Sequence, residues 1–361
     1  MRNLISSLAL VLLASCKSNL PSQPATDKRP GVETRVVDLC VDGDATEGVA
    51  SFVLRYVDGT TIPASSTTIE QSIDGDTPGS GKWEGGQSLG SENLSSDLHV
   101  TLVLDASSSI VEDGLFDEMK SSAMALLEQG AAAWEGRPGT FSWQVIWFNQ
   151  WVWEADSDWS LSDIETIPGP AEGDDGFTRM YAAMDFAVLE ADRQRLGGGV
   201  ASGPRDTHLL VVFTDGQDNS SGRDSPDVPA PTGATSSGAG YTTHATTVTT
   251  QRDVEQLLAA NNDWLQVSML GLGAGVDRTV LESFAQAGGG SVFEADNVGV
   301  LFEQAEKSFE TLQTVGWRLP LNPGDTHDWR LSFSVDDLPK STTVDLRVGR
   351  NNGTPECVSA E

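Results

Sequence analysis

Two strand-like apolar runs, each ending on an aspartate, constrain the fold of this chain more than any other feature. Leu98–Leu104 stops at Asp105, and Leu209–Thr214 stops at Asp215. Runs this apolar read as strands buried in a sheet, and Phe141–Asn149 and Leu265–Leu272 are two more. Between and after them, apolar residues recur at helical spacing. The sets are Leu115, Phe116, Met119, Ala123, Leu126, Leu127; then Met180, Met184, Ala187, Val188; then Val280, Leu281, Phe284; and last Leu301, Ala305, Phe309, Leu312. Alternating strands and helices predict an α/β fold with a parallel sheet covered by helices on both faces. In open sheets of that kind ligands bind outside the carboxyl ends of the strands. Asp105 and Asp215 both fall at such ends.

The residues after Asp105 carry the chemistry. Ser107 and Ser109 follow it at spacings of two and four, so one tight turn offers a carboxylate and two hydroxyls. That is a half-shell of oxygen ligands for a hard divalent cation. Thr178 precedes the helix that begins near Met180, and Asp215 ends the second run. Asp105, Ser107 and Ser109, then Thr178, then Asp215 resemble the metal-ion-dependent adhesion site of the von Willebrand factor type A domain. The resemblance covers roughly residues 97–315. Asp-x-Ser-x-Ser alone is a weak signal, whereas all three elements in order, two of them at strand ends, are specific.

The resemblance implies a doubly wound, Rossmann-like, mostly parallel sheet flanked by helices. It implies a metal site made by Asp105, Ser107, Ser109, Thr178 and Asp215. The expected cofactor is Mg²⁺, with Mn²⁺ or Ca²⁺ as alternatives, because a hydroxyl-rich site of low charge keeps waters on the ion. The expected partner is a protein offering an acidic side chain to the open coordination position. The neighbouring Asp174 and Asp175 read as caps of the following helix.

Charge narrows the partners. The 361 residues include 53 acidic against 22 basic, a net of -31. A surface that negative repels nucleic acid and anionic membrane. The first sixteen residues read as a targeting segment: Arg2, an apolar stretch from Leu4 to Ala14, and Leu13-Ala14-Ser15-Cys16. Eleven residues are too few to span a bilayer, which takes about 20. The tetrapeptide resembles a bacterial lipobox, with Cys16 as the lipidated residue; the alternative is an ordinary secretory signal. Membrane contact is then through the N-terminal lipid only. Lys17 in place of aspartate points, by family analogy, to the outer membrane of a Gram-negative cell. Residues 17–33 read as a flexible tether. In an exported protein Cys40 and Cys357 are expected to pair, the alternative being two free buried thiols. Closing so long a loop is worth roughly 5 kcal/mol in the chain-entropy treatment.

Both flanks are β-like. Ser51–Val57 reads as a strand, Ser72–Ser96 as a loop rich in Gly, Ser and Asp, and Trp329–Val335 and Thr342–Val348 alternate polar with apolar. Neither flank has enough strands to stand alone. Residues 34–96 plus 316–361 are therefore expected to form one small β-sandwich, into which the α/β domain, 97–315, is inserted. The stretch between Asp215 and Arg252 reads as one long loop on the metal-site face, either binding rim or disordered. Trp147, Trp151, Trp153 and Trp159 read as core packing plus contact with the sandwich in preference to a surface patch.

No enzyme is expected. None of His99, His208, His244 and His327 belongs to a nucleophile motif, and no His/Cys cluster suits zinc. Gly271-Leu272-Gly273-Ala274-Gly275 lacks the full dinucleotide spacing and reads as a turn. The sequence predicts a lipid-anchored protein that binds an acidic group on a protein partner through a metal ion. The alternative is a structural assembly component whose α/β domain binds partners without metal.

Overall fold

The computed structural model describes residues 30–42, 44–56, 62, 66–77, 80, 87–89, 97–112, 114–135, 139–169, 178–197, 207–215, 218–222, 233–234, 238–244, 247–262, 264–272, 276–295, 299, 312–336 and 341–352. The described residues open with four strands: β1 (Pro30–Asp42), β2 (Ala45–Tyr56), β3 (Thr67–Ile73) and β4 (Gln87–Leu89). An α/β segment follows, starting with β5 (Leu98–Asp105), α1 (Ser108–Glu112), α2 (Phe116–Trp134), β6 (Phe141–Phe148) and β7 (Val152–Ala155). It continues through α3 (Met180–Gly197), β8 (Thr207–Thr214), β9 (Gly233–Ala234), β10 (Gly240–His244) and α4 (Gln251–Asn261). It closes with β11 (Leu265–Leu272), α5 (Arg278–Ala287) and β12 (Ser291–Ala295). Three strands end the described chain: β13 (Leu312–Leu319), β14 (Thr326–Val335) and β15 (Thr342–Gly349).

The α/β segment is the doubly wound, mostly parallel sheet that the apolar runs predict. Its strand order is β12-β11-β8-β5-β6-β7-β10-β9. The pairings from β12 to β6 are all parallel, and those outward from β6 are antiparallel. β5 lies inside the sheet, and all eight of its residues are buried. Its alternate side chains serve two cores. Val100, Leu102 and Leu104 join Phe116, Met119 and Leu126 of α2 on one face. Val103 joins Met184 of α3, Leu258 of α4 and Phe284 of α5 on the other. A strand covered on both faces has no polar side to show, which is why its sequence reads as an apolar run.

The stretch between Asp215 and Arg252 is not structureless throughout. β10 lies within it and pairs antiparallel with β7, Tyr241 opposite Ala155 and His244 opposite Val152. Tyr241 then packs edge-on against Trp147, with ring centroids 5.3 Å apart. Trp147, Trp153 and Trp159 are buried together on the α2 face, Trp147 and Trp153 stacked at 6.0 Å. These tryptophans are core of the α/β sheet.

The terminal strands form two sheets, β1-β2-β13-β4 and β15-β14-β3. Their inner faces share one core, in which Phe52 meets Phe333 edge-on at 5.2 Å and Trp317 meets Trp329 at 5.8 Å. Gln71 links the two sheets. Its Nε2 donates to the Gly316 carbonyl at 3.0 Å, and its Oε1 accepts from Trp329 Nε1 at 3.2 Å. Three boundaries differ from the sequence expectation. β1 starts at Pro30, inside the stretch read as tether, because β2 is long enough to pair Pro30 with Tyr56. Proline at the first position of an edge strand forfeits no ladder hydrogen bond. β13 starts at Leu312, which pairs with Val53, so Leu312 is a strand residue and not the end of the last helix. Ser72 and Ile73 complete β3, and Gln87–Leu89 is a short strand on β13 within the stretch read as loop. Leu301, Ala305 and Phe309 lie outside the described residues, as do residues 1–29 with Cys16, and Cys357. Cys40 is buried and disulfide-bonded. Among the described residues no helix is long and apolar enough to cross a membrane.

Gly48 pairs with Trp317 across β2 and β13, and a Cβ there would come within 2.3 Å of the buried indole. Gly48→Ala is therefore expected to cost about 1–3 kcal/mol, the usual penalty of overpacking a filled core. Urea unfolding followed by tryptophan fluorescence measures this. An unchanged midpoint would mean that the indole moves aside freely.

Candidate metal centre

The site is built from the carboxyl ends of β5 and β8 and the start of α3. β5 runs directly into a turn, with Ala106 N–H still bonded to the Phe148 carbonyl of β6 at 2.7 Å. Asp105 then folds back on the chain: its Oδ1 accepts from Ser107 N–H at 2.9 Å. Its Oδ2 accepts from the Thr214 hydroxyl at 2.8 Å, which ties it to the end of the neighbouring strand β8. Asp105 is fully buried. Ser107 is buried beside it, and the Ser107 and Ser109 hydroxyls lie 3.0 Å apart. Ser109 Oγ donates to Asp215 Oδ2 at 2.5 Å. Four of the five residues picked from the sequence, Asp105, Ser107, Ser109 and Asp215, thus form one hydrogen-bonded chain across two loops.

Thr178 is held to the same edge by residues that sequence reasoning did not select. Its N–H donates to Asn219 Oδ1 at 2.8 Å. Its carbonyl accepts from the N–H groups of Asn219 and Ser220, at 3.1 and 3.2 Å, and from Ser220 Oγ at 3.0 Å. The next residue, Arg179, donates its N–H to the Asn149 carbonyl at the β6–β7 turn, 3.0 Å away. Asp218 caps α3 from a distance, accepting from Tyr181 N–H at 2.8 Å, while Ser221 Oγ accepts from Ala182 N–H at 3.0 Å. Asp174 and Asp175, read as the caps, lie outside the described residues. The only local signal for these partners is the run Asp218-Asn219-Ser220-Ser221, residue types that favour caps and turns. Nothing in that run says which helix it caps.

Electrostatics favours a cation here. Burial pushes the Asp105 carboxyl up from its ordinary 3.8 to about 7, and the charge of Asp215 pushes it the same way. The hydrogen bonds from Ser107 and Thr214 offset part of this, and no described lysine or arginine contributes. Two carboxylates beside two serine hydroxyls, with Thr178 held nearby by Asn219 and Ser220, offer an all-oxygen donor set, which suits a hard divalent ion and not a soft one. Among the described residues no group of three or more His, Cys, Asp and Glu side chains could hold a metal. The residues present fit an ion such as Mg²⁺.

No family model matches the sequence, and no curated protein matches it. Some solved structures resemble it in part. One is proximal thread matrix protein 1 from the mussel byssus, with a zinc-occupied MIDAS motif. It is 19% identical, with 60% of this chain and 48% of that one covered and a TM-score of 0.39. A second is the ArnB paralog VWA2 from Sulfolobus acidocaldarius, 12% identical over 89% of this chain and 74% of that one, TM-score 0.39. A third is the manganese-loaded TRAP protein of Plasmodium vivax, 12% identical over 76% and 98%, TM-score 0.40. The chain spans about half the length of the mussel protein. Likenesses of this size place no residue of the site.

The raised Asp105 carboxyl sets a pH dependence. Its folded value lies above its unfolded one, so its ionised form opposes folding. That cost is absent below about pH 4, grows as the pH rises toward 7 and is complete above it. With chelator present, Asp105→Asn is expected to raise the thermal midpoint at pH 8 by at least about 2 °C, roughly the effect of 1 kcal/mol in a protein this large. The gain shrinks as the pH falls toward 5. Differential scanning calorimetry across that range reads it directly, and a destabilised variant at pH 8 would contradict the assignment.

Proposed function

We propose that this protein is a metal-dependent binding protein of the von Willebrand factor type A kind. Its α/β unit holds a divalent cation at Asp105, Ser107, Ser109, Thr178 and Asp215. The observation that supports this most is the convergence at one sheet edge. Carboxylates 110 positions apart in sequence share a hydrogen-bonded chain through the Ser109 hydroxyl. Asp105 and Asp215 repel, and a cation between them would relieve that repulsion.

The chain's own residues divide the work. Ser107, Ser109 and Thr178 offer neutral oxygens, while Asp105 and Asp215 supply charge. Thr214 and Asn219 orient Asp105 and Thr178 from behind. A bound ion supplies Lewis acidity and an exchangeable coordination position. Because the donor set carries only two carboxylates, a third from a protein partner is the natural ligand for that position. Mg²⁺ is the favoured ion, the protein has no catalytic role in this reading, and lipid on Cys16 anchors it to the outer membrane.

Calorimetric titration of Mg²⁺, Mn²⁺ and Ca²⁺ tests the site. Wild type is expected to show one saturable site that Asp105→Ala abolishes. Asn219→Ala is expected to weaken it about 10- to 100-fold, the range for groups that orient ligands. No heat from any of the three ions would refute the metal assignment. Partner capture in Mg²⁺ compared with EDTA then separates metal-dependent recognition from metal-free assembly.

A further inference from the structure

At the opposite end of the sheet, β5 and β8 each bury a histidine. His99 and His208 are register partners on adjacent parallel strands, 3% and 1% exposed. Their ring centroids are 5.1 Å apart. His99 Nδ1 shares a 2.9 Å hydrogen bond with Ser142 Oγ of β6. His99 Nε2 and both ring nitrogens of His208 have no hydrogen-bond partner among the described residues. Trp264, just before β11, stands edge-on to His208 at 5.0 Å. From the last turn of α3, the Arg195 guanidinium lies over the Trp264 ring at 4.7 Å and pairs with Asp192 at 2.9 Å.

The other two histidines have a different environment. His244 faces Glu154 and His327 faces Asp74, each at 2.8 Å, so a proton on either ring meets a carboxylate. No described carboxylate acts on His99 or His208. The charged groups that act on His208 are His99 and Arg195, both of the wrong sign for a proton. Two imidazoles could also share a transition metal, but the described residues offer no third His, Cys, Asp or Glu ligand.

We propose that His99 and His208 form an acid-sensitive latch at the amino end of the sheet. A proton taken up by either ring leaves an unpaired charge in the core, beside the other ring and Arg195. The protonated ring moves out to water, and the end of α3 with the first residues of β5 and β8 opens. The β-sandwich, whose described histidine is carboxylate-paired, stays closed. Burial lowers His99 from 6.5 to about 4, and burial with His99 and Arg195 lowers His208 to about 3. Both folded values lie below the unfolded one. The stability they protect is therefore full above about pH 6.5 and drains as the pH falls toward 4. Between pH 7.5 and 5.0 the opening constant rises on the order of 30-fold for each ring.

Hydrogen exchange by mass spectrometry on the full chain, corrected for intrinsic rates, tests the latch. From pH 7.5 to 5.0, peptides covering the first residues of β5 and β8 and the end of α3, which leave Asp105 out, are expected to open at least about 30-fold more. Peptides covering β14 and β15 change little. His208→Phe removes at least about tenfold of the difference. Asp105 works in the opposite direction, but it is common to both proteins and cancels in the comparison. Should His208→Phe fail to fold, imidazole NMR of the wild type decides: both rings stay neutral at pH 5.5 in the closed protein. A ring of the pair titrating near 6.5 while folded, or equal loss of protection in the sandwich, would overturn the proposal.

Discussion

Asp105 is a carboxylate at the end of a strand with partners on both sides, and much of the α/β unit follows from keeping it there. Parallel pairing to β6 and β8 removes it from water. The strand there is covered on both faces, so the preceding run supplies two cores at once. The exposed Ser109 and the half-buried Asp215 are then the outward part of a site whose inner wall is fixed. A hydroxyl from β8 and a backbone N–H from the turn hold both carboxylate oxygens, so Asp105 cannot rotate away from its unfavourable neighbour. A group pinned in repulsion is a group ready to accept a cation.

The same strands bury ionisable groups at both ends, with opposite consequences. At the carboxyl end burial raises an acid, so protons stabilise the folded state. At the amino end burial lowers two bases, so protons destabilise it. Both effects come from desolvation of the charged form, whose sign depends only on which protonation state carries the charge. Acidification thus pulls the two ends of one sheet in contrary directions, easing the Asp105 edge while loading the histidine edge.

The sandwich answers a separate problem. Each terminal segment alone is a ribbon with one apolar face, and such ribbons are marginal in water. β13 completes the sheet begun by β1 and β2, and β14 completes the one begun by β3. The α/β unit between them must therefore return the chain to where it left. Half-buried Gln71 favours this meeting of the two sheets, because another register would break both of its amide bonds.

Periodicity is readable from the chain alone: buried strands with alternate helices, alternating terminal strands, and hydroxyls two and four residues beyond a strand-end carboxylate. Those are local properties, since a strand covered on both faces is written mostly in apolar residues and a turn that sets hydroxyls beside a carboxylate has to be contiguous. Asp105, Ser107, Ser109 and Asp215 were legible for that reason. The placement of Thr178 was legible only through a resemblance, because Asn219 and Ser220, which hold it, lie some forty positions away. Asp218 capping α3, β10 joining the sheet through Thr242 and Thr243, and His99 facing His208 belong to the same class. Each depends on which strand lies beside which, and no window of sequence contains both partners. Strand order is decided by the shared burial of side chains from distant segments, so only the tertiary structure could decide what these residues touch.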